Sequence, residues 1–219
     1  MDYGKVVGEA FGYAKDGLVG KWMQWILLLV ATILLSLPLM GYSLKILRGE
    51  KPAPVVEGWV TLFIDGIKYL IICIIYAIPL IIILALLMAP VLAAAMSGNT
   101  NALMAGIGGF LVGFVIFVIL AILIALFEFI GIVRFARTGS MGEAFNFKEI
   151  TATIAKIGWV PYIIALIVLF VVQVILSIII SVIAMIPILG MIIQLVLIAP
   201  IMIFEARYLC QVYDAAGAA

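Results

Sequence analysis

The sequence predicts an all-α integral membrane protein with four full transmembrane helices and either a re-entrant hairpin or a fifth span. Its composition, the spacing of its charges and an internal repeat support this prediction. Of the 219 residues, 68% are hydrophobic and 11% are charged, and the mean hydropathy is +1.43. Because about a quarter of the residues are charged in an ordinary soluble domain, this composition excludes a water-soluble globule.

The charged residues leave three long gaps. Residues 22–44, 69–127 and 157–204 contain no Asp, Glu, Lys or Arg, and these stretches are 23, 59 and 48 residues long. A helix needs about 20 apolar residues to cross a hydrocarbon core about 30 Å thick. The gaps therefore have room for roughly one, two and two passes.

An internal repeat groups these passes into units. The tetrapeptide Gly-Glu-Ala-Phe occurs at 8–11 and 142–145, and each copy is followed by a Trp, an apolar helix and a Pro-x-x-Gly turn, at 38–41 and 187–190. A looser copy occupies 57–66. The repeat predicts one membrane domain over 1–219, made of three helix-hairpin units at 1–48, 54–132 and 140–213.

Each unit opens with a mixed, amphipathic segment. In the first one the apolar and the charged side chains lie on different sides of a helix: Val7, Ala10, Phe11, Ala14 and Leu18 against Lys5, Glu9 and Asp16. In the last one, Ser140 with Glu143 and Asn146 with Glu149 have the spacing of helix starts. We expect both helices to lie flat in the headgroup plane, with the apolar face in the acyl boundary.

The spans follow these segments. Residues 69 to about 91 and about 105 to 132 form one hairpin around the polar turn 97–101, and residues 159 to about 186 and 191–208 form another around 187–190. Pro79, Pro90 and Pro200 lie inside or near span ends. We expect kinks there, with neighbouring groups satisfying the freed carbonyls.

The basic residues predict the orientation. The turns 97–101 and 187–190 contain no Lys or Arg, whereas 45–68 and 134–156 contain four each, so the positive-inside rule places the basic segments and the C-terminus in the cytoplasm. If residues 22–47 cross once, the N-terminus is outside. If they re-enter at 38–41, all twelve basic residues are inside. The repeat favours re-entry, and the short return leg favours a single span.

Several motifs resemble a known family. They are the opening Gly-Glu-Ala-Phe, Gly-Tyr-Ser-Leu-Lys-Ile-Leu-Arg-Gly at 41–49, Leu-Phe-Ile-Asp-Gly at 62–66, Ala-Arg-Thr-Gly-Ser at 136–140 and Glu-Ala-Arg-Tyr-Leu at 205–209. Over essentially the whole chain the sequence resembles the uncharacterised multi-pass membrane family numbered four-zero-one-three among the domains of unknown function, found mainly in archaea. The resemblance implies a prokaryotic, archaeal protein of the cytoplasmic membrane and carries no activity.

The residue inventory disfavours enzymes. The chain has no histidine, so it cannot build His-based metal sites or a Ser/Cys-His relay. The two cysteines, Cys73 and Cys210, form no Cys-x-x-Cys motif. We therefore expect no enzyme, no cofactor and no metal site. With a net charge of +1 we expect no nucleic-acid partner either. The predicted partners are the lipid bilayer and either a second copy or another membrane protein.

A few polar residues inside or beside the apolar runs are candidates for function. They form either a polar path or interhelical contacts: Glu128, Gln173, Ser177, Ser181 and Glu205. Three arginines are the candidate cytoplasmic charge partners of the two acids: Arg134, Arg137 and Arg207. These features favour a channel or transporter-type subunit. The alternative is a structural or membrane-organising protein that docks partners or shapes the bilayer.

Small residues on the third apolar helix form a packing stripe. Ala105, Gly109 and Gly113 follow one another at four-residue spacing, the pattern that lets membrane helices approach closely. The stripe is consistent with packing inside one chain or between two.

Overall fold

The computed structural model describes residues 1–186 and 188–217, and within these ranges all regular structure is helical. The helices are α1 (Tyr3–Leu18), α2 (Trp22–Ile33), α3 (Leu37–Leu47), α4 (Trp59–Met96), α5 (Thr100–Thr138), α6 (Phe147–Ile157), α7 (Trp159–Ala184) and α8 (Leu189–Asp214), and a short 3-10 helix (Met141–Phe145) precedes α6. By length and hydropathy α4, α5, α7 and α8 can each cross a membrane. The pair α1 and α2, bent by 102°, is a candidate for a fifth crossing. The predicted all-α membrane fold is confirmed.

The chain forms two compact units. The first comprises Met1–Leu70 and Phe129–Ala219, and the second comprises Ile71–Glu128. The first contains the short helices, α7, α8 and the segments 59–70 of α4 and 129–138 of α5. The second is the hairpin made by the rest of α4 and α5, whose charged residue is Glu128. Each unit is described separately below.

In the second unit the predicted polar turn joins two continuous helices. Ser97 closes α4 by donating to the carbonyl of Ala94 at 2.8 Å, and the side chain of Asn99 accepts from the N–H of Ala102 at 3.1 Å at the start of α5. Asn99 thus satisfies one of the four free N–H groups that open a helix. Both helices continue through this unit, α4 through Pro79 and Pro90.

The close packing in this hairpin uses Gly113 of the predicted stripe together with Gly106, which is outside the stripe. A Cβ on Gly106 would lie 3.3 Å from the Cα of Val91, and a Cβ on Gly113 would meet the side chain of Leu87. Gly109 has nothing within 4 Å of its Cβ position, and Ala105 is exposed. Gly106 and Gly113 therefore provide the close approach within the chain.

In the first unit, residues 22–47 are two short helices rather than one long one. At about 1.5 Å per residue, α2 with 12 residues is about 18 Å long and α3 with 11 residues about 16 Å. The two helices are antiparallel neighbours. A hydrogen bond joins them, in which Gln24 near the start of α2 donates to the hydroxyl of Tyr42 in α3 at 3.2 Å. This geometry is that of a short hairpin.

The predicted turn at 38–41 is wrong. The chain reverses at Leu35 and Ser36, whose φ angles are 56° and 59°, and Pro38 and Gly41 lie inside α3. Proline is tolerated in the first turn of a helix, where its missing N–H has no partner to lose. The corresponding turn at 187–190 includes Pro187, which lies outside the described residues. Beyond it, α8 begins at Leu189.

Gly41 is needed for packing instead. A Cβ on Gly41 would lie 1.9 Å from the carbonyl oxygen of Leu62 in α4, and a Cβ on Gly66 of α4 would lie 1.9 Å from the carbonyl oxygen of Leu37. The two glycines therefore let the backbones of α3 and α4 touch at two points one helical turn apart.

The apolar face of α1 packs on α8 rather than facing the acyl boundary as we expected. Phe11 stacks on Phe204 with ring centroids 4.2 Å apart, and Ala10 and Ala14 are buried. The amide of Gln211 also reaches the backbone near the start of α1. The amphipathic pattern of the sequence thus identifies a helix that packs against a transmembrane helix.

The other amphipathic segment begins where the sequence predicted. Asn146 caps α6 by accepting from the N–H of Glu149 at 3.3 Å, and Ile150 and Ile154 are fully buried. In the helices that follow, Tyr208 of α8 donates to the carbonyl of Ala165 in α7 at 2.8 Å. This hydrogen bond joins α7 to α8.

Candidate functional site

Two arginines, Arg48 after α3 and Arg137 near the end of α5, each donate a hydrogen bond to the helix of the other. Arg48 follows α3 and donates through Nε to the carbonyl of Ala136, in the last turn of α5, at 3.2 Å. Its Nη2 donates to the carboxylate of Asp65 in α4 at 2.7 Å. The last four carbonyls of a helix have no partner within it, so a guanidinium that donates there also stabilises the helix dipole.

Arg137 makes the reciprocal contact. Its Nε donates to the carbonyl of Leu47, the last residue of α3, at 2.7 Å, and its Nη2 donates to Asp214 of α8 at 2.6 Å. The guanidinium also lies against Gly49, where a Cβ would come within 3.3 Å of it. We call Arg48 and Arg137 the arginine clamp, because together they join the ends of α3, α4, α5 and α8.

A further arginine, Arg207, lies beside the clamp in a buried position. Arg207 is 3% exposed, its guanidinium lies 5.1 Å from the ring centroid of Tyr13, and its Nη1 is 3.8 Å from the sulfur of Cys210. The same sulfur accepts from Arg137 at 3.3 Å and lies 3.6 Å from Asp214. Cys210 is therefore fully buried and contacts two cations and one carboxylate.

The third predicted arginine has a local partner. Arg134 forms an ion pair with Glu143, which also accepts from the amide of Asn146 at 3.1 Å. These two donors, Arg134 first, hold the pKa of the Glu143 carboxyl below its usual value. Arg134, Arg137 and Arg207 thus find their acidic or thiol neighbours at Glu143, Asp214 and Cys210.

The two acids in the apolar helices, Glu205 and Glu128, have neutral hydrogen-bond partners. The amide of Gln173 in α7 donates to the carboxyl of Glu205 in α8 at 3.2 Å. In the second unit, the thiol of Cys73 and the carboxyl of Glu128 share a side-chain hydrogen bond. Among residues 1–186 and 188–217, no Lys or Arg forms an ion pair with either acid.

The serines of the predicted stripe do not extend this contact. Ser177 and Ser181 are exposed, and the hydroxyl of Ser181 donates to the carbonyl of Ser177 within α7 at 2.7 Å. Of the stripe, Gln173 alone reaches an acid in the described part of the chain. The interhelical polar site is therefore Gln173 with Glu205.

A proline in α8 creates one further polar contact that the sequence reasoning did not specify. Pro200 has no N–H, so the carbonyl of Val196 four residues earlier lacks its helical donor. The indole N–H of Trp25 in α2 donates to that carbonyl at 3.3 Å. The proline pattern predicted that a neighbour would fill this position, but sequence alone could not name Trp25.

A metal site is not among these arrangements. Within the described ranges 1–186 and 188–217, no three His, Cys, Asp or Glu side chains come close enough to hold a metal ion.

Together the long apolar helices and the polar contacts between them define a helical multi-pass membrane protein. The chain belongs to the family described as "Protein of unknown function (DUF4013)", whose family model matches residues 25–185. The resemblance found in the motifs is thereby confirmed. The matched range contains Gln173 and both arginines of the clamp, whereas Glu205 and Asp214 lie beyond it. Neither the curated proteins nor the solved structures include a significant match to this chain.

Proposed function

We propose that this protein is a non-enzymatic subunit of channel or transporter type, and that the contact between Gln173 and Glu205 is the polar element of its path. The observation that supports the proposal is a carboxyl group in an apolar membrane-spanning helix whose hydrogen-bond partner is an amide. An ionisable group at membrane depth is costly and marks ion or proton pathways in many membrane proteins.

The chemistry of the pair suits a proton or a small cation. An amide can donate to a carboxylate and can equally accept from a carboxylic acid after its own rotation. The pair can therefore keep a hydrogen bond in both protonation states of Glu205. A cation that replaces the proton would find three oxygen atoms, one from Gln173 and two from Glu205.

Flux measurements test this proposal. In proteoliposomes with a pH or a potassium gradient, we expect Glu205→Gln to abolish ion flux and Gln173→Leu to reduce it strongly. Ser181→Ala is the matched control, since Ser181 is exposed on the same helix and bonded to its own backbone. Equal flux in Glu205→Gln and in Ser181→Ala, with both proteins folded, would refute the transport proposal.

The short hairpin of α2 and α3 supports a second candidate, a membrane-organising protein. Each helix is about half as long as the 30 Å that a hydrocarbon core requires. The hairpin exposes apolar side chains, with Leu35 at its tip 82% exposed and Met23 at the start of α2 69% exposed. A hairpin of this size in one leaflet would act as a wedge.

Electron microscopy of vesicles separates the two candidates. Tubulation that is lost in Met23→Ser/Leu35→Ser but kept in Glu205→Gln would support the wedge. Unchanged vesicle shape at high protein density, with flux present, would support transport.

We further propose that the ends bearing the arginine clamp face the cytoplasm, as the distribution of basic residues indicates. Labelling of Gly8→Cys and Ser97→Cys in intact cells with an impermeant maleimide tests this, with the parent chain as control. We expect label at position 97 and none at position 8. Label at position 8 would place the N-terminus outside and contradict the re-entrant interpretation.

A further inference from the structure

The first unit contains a lateral apolar cavity. Its volume is about 380 Å³, within the range of roughly 300–1,000 Å³ that small-molecule sites occupy. The walls come from α1, α2, α7 and α8, and its lining side chains include Leu18, Trp25, Ile179 and Phe204. Because α7 and α8 are membrane-spanning helices, a cavity between them and the short helices opens toward lipid rather than toward water.

One wall is held in place by the contact at Pro200. The indole of Trp25 lines the cavity and is fixed by its hydrogen bond to the carbonyl of Val196, and its ring stacks on Trp22 with centroids 5.8 Å apart. Pro200 itself lines the same cavity. Trp25 is thus held by a bond that would have to break before the wall could collapse.

A single charge lies at this apolar site. Lys15 is the charged residue among those that line the cavity, and it is exposed. No carboxylate in the described part of the chain forms an ion pair with it. The site therefore combines a hydrocarbon slot with a cation at its edge, which is the complement of an amphiphile with an anionic head.

We propose that this cavity binds one hydrocarbon chain of an anionic membrane phospholipid, with the lipid phosphate at Lys15. The apolar walls accept the chain, and the lysine ammonium binds the phosphate as a point charge. A single Lys near a membrane surface favours an anionic lipid over a neutral one by about fivefold.

Native mass spectrometry of the full chain in detergent tests the proposal, with phosphatidylglycerol and phosphatidylcholine added in equal amounts. We expect the wild-type chain to retain phosphatidylglycerol about fivefold more than phosphatidylcholine, and Lys15→Gln to remove the preference. Lys5→Gln is the matched control, because Lys5 is on the same helix but does not line the cavity. An unchanged preference in Lys15→Gln would overturn the assignment of the phosphate.

Filling the cavity tests the chain-binding part. Ile179→Trp places a large side chain into the slot from an exposed position, and Ile178→Trp is its control on the outward neighbour. We expect Ile179→Trp to lose retained lipid of both kinds, and Leu176→Phe repeats the test if that variant unfolds. Equal lipid retention in Ile179→Trp and Ile178→Trp would overturn the proposal. It would also be overturned if Ile179→Trp lost a dimer peak while the retained lipid was unchanged, since a second copy of the chain would then be the occupant.

Discussion

The close approach of the α3 and α4 backbones makes a sharp prediction at Gly41. In Gly41→Ala the new Cβ would lie 1.9 Å from the carbonyl oxygen of Leu62, 2.7 Å from its carbonyl carbon and 2.8 Å from its Cα. Contacts of a real Cβ are essentially never shorter than 3.0 Å, so α3 and α4 must separate by at least 1.1 Å. All three atoms belong to a helix backbone, and no side-chain rotation can relieve the clash.

The expected cost follows from two opposing effects. Overpacking typically costs about 1–3 kcal/mol, and a backbone clash belongs at the upper end. Alanine gains about 1 kcal/mol over glycine in helix propensity. We therefore expect Gly41→Ala to lose about 2 kcal/mol of stability, whereas Gly8→Ala on α1, where nothing lies within 4 Å of the new Cβ, should gain up to about 1 kcal/mol.

Thermal unfolding in detergent, followed by circular dichroism, measures both variants. For a chain of this size about 1 kcal/mol corresponds to roughly 2–4 °C in Tm, so Gly41→Ala should melt several degrees below wild type and Gly8→Ala at or above it. Adding Gly66→Ala to Gly41→Ala should cost less than Gly66→Ala alone, because the first change has already separated the helices. A Tm for Gly41→Ala equal to that of Gly8→Ala would refute the close approach of α3 and α4.

Three other predictions concern polar contacts. In Glu143→Gln the ion pair with Arg134 is lost. Hydrogen bonds lower the pKa of the Glu143 carboxyl in the folded protein. The ion pair therefore stabilises the wild-type fold at pH values above the usual pKa of glutamate, and this stabilisation is lost as the pH falls through the lowered pKa of the folded state. The variant should melt at a lower temperature at pH 7 and lose less Tm on acidification. Trp25→Phe leaves the carbonyl of Val196 unpaired and should cost about 1–3 kcal/mol. Replacing either arginine of the clamp by lysine should cost about 1–2 kcal/mol, because lysine cannot donate to a carbonyl and a carboxylate in the fixed fork geometry of arginine.

The prediction for Trp25 has two controls. Trp22→Phe changes an exposed indole on the same helix and should change the free energy of unfolding by no more than about 0.5 kcal/mol. In a Pro200→Ala background, Val196 regains a helical donor, so Trp25→Phe should then cost less. An equal cost in both backgrounds would contradict the contact. A slope against pH that is unchanged in Glu143→Gln would contradict the ion pair.

The long helices were predictable because a bilayer imposes one simple requirement. About 20 consecutive apolar residues are needed for a crossing, and the stretches 69–127 and 157–204 meet it twice each with a polar or proline-containing break between. The break at 97–101 is confirmed by the end of α4 at Met96 and the start of α5 at Thr100. Hydropathy and one turn motif suffice for this part of the fold.

The first hairpin was harder because its signals have two physical meanings. A proline and a glycine three residues apart are typical of a turn, but proline also suits the first turn of a helix, and glycine also suits a close helix contact. Here Pro38 and Gly41 serve the second purpose. The real reversal uses Leu35 and Ser36 with positive φ, and Leu is not a turn residue while a single Ser is only a weak turn signal.

The partners of the arginines could not be read from sequence distance. We expected Arg134, Arg137 and Arg207 to be the charge partners of Glu128 and Glu205, because all five residues lie near the ends of the apolar runs. The observed partners of the clamp are Asp65 and Asp214, which are 17 and 77 residues away from their arginines. Such contacts depend on how α3, α4, α5 and α8 meet, and that geometry is decided by backbone contacts such as the one at Gly41.

In a bilayer, apolar helices gain little from contact with each other, because lipid chains are as apolar as their side chains. Contacts to backbone groups therefore contribute to the arrangement of this fold. Arg137 and Trp25 donate to carbonyls that their own helices leave free. The contact of Gln173 with Glu205, like that of Cys73 with Glu128, joins two side chains and satisfies no backbone group. A polar pair with no such structural need, at membrane depth, is the feature that most requires a functional explanation, and for that reason the transport proposal rests on it.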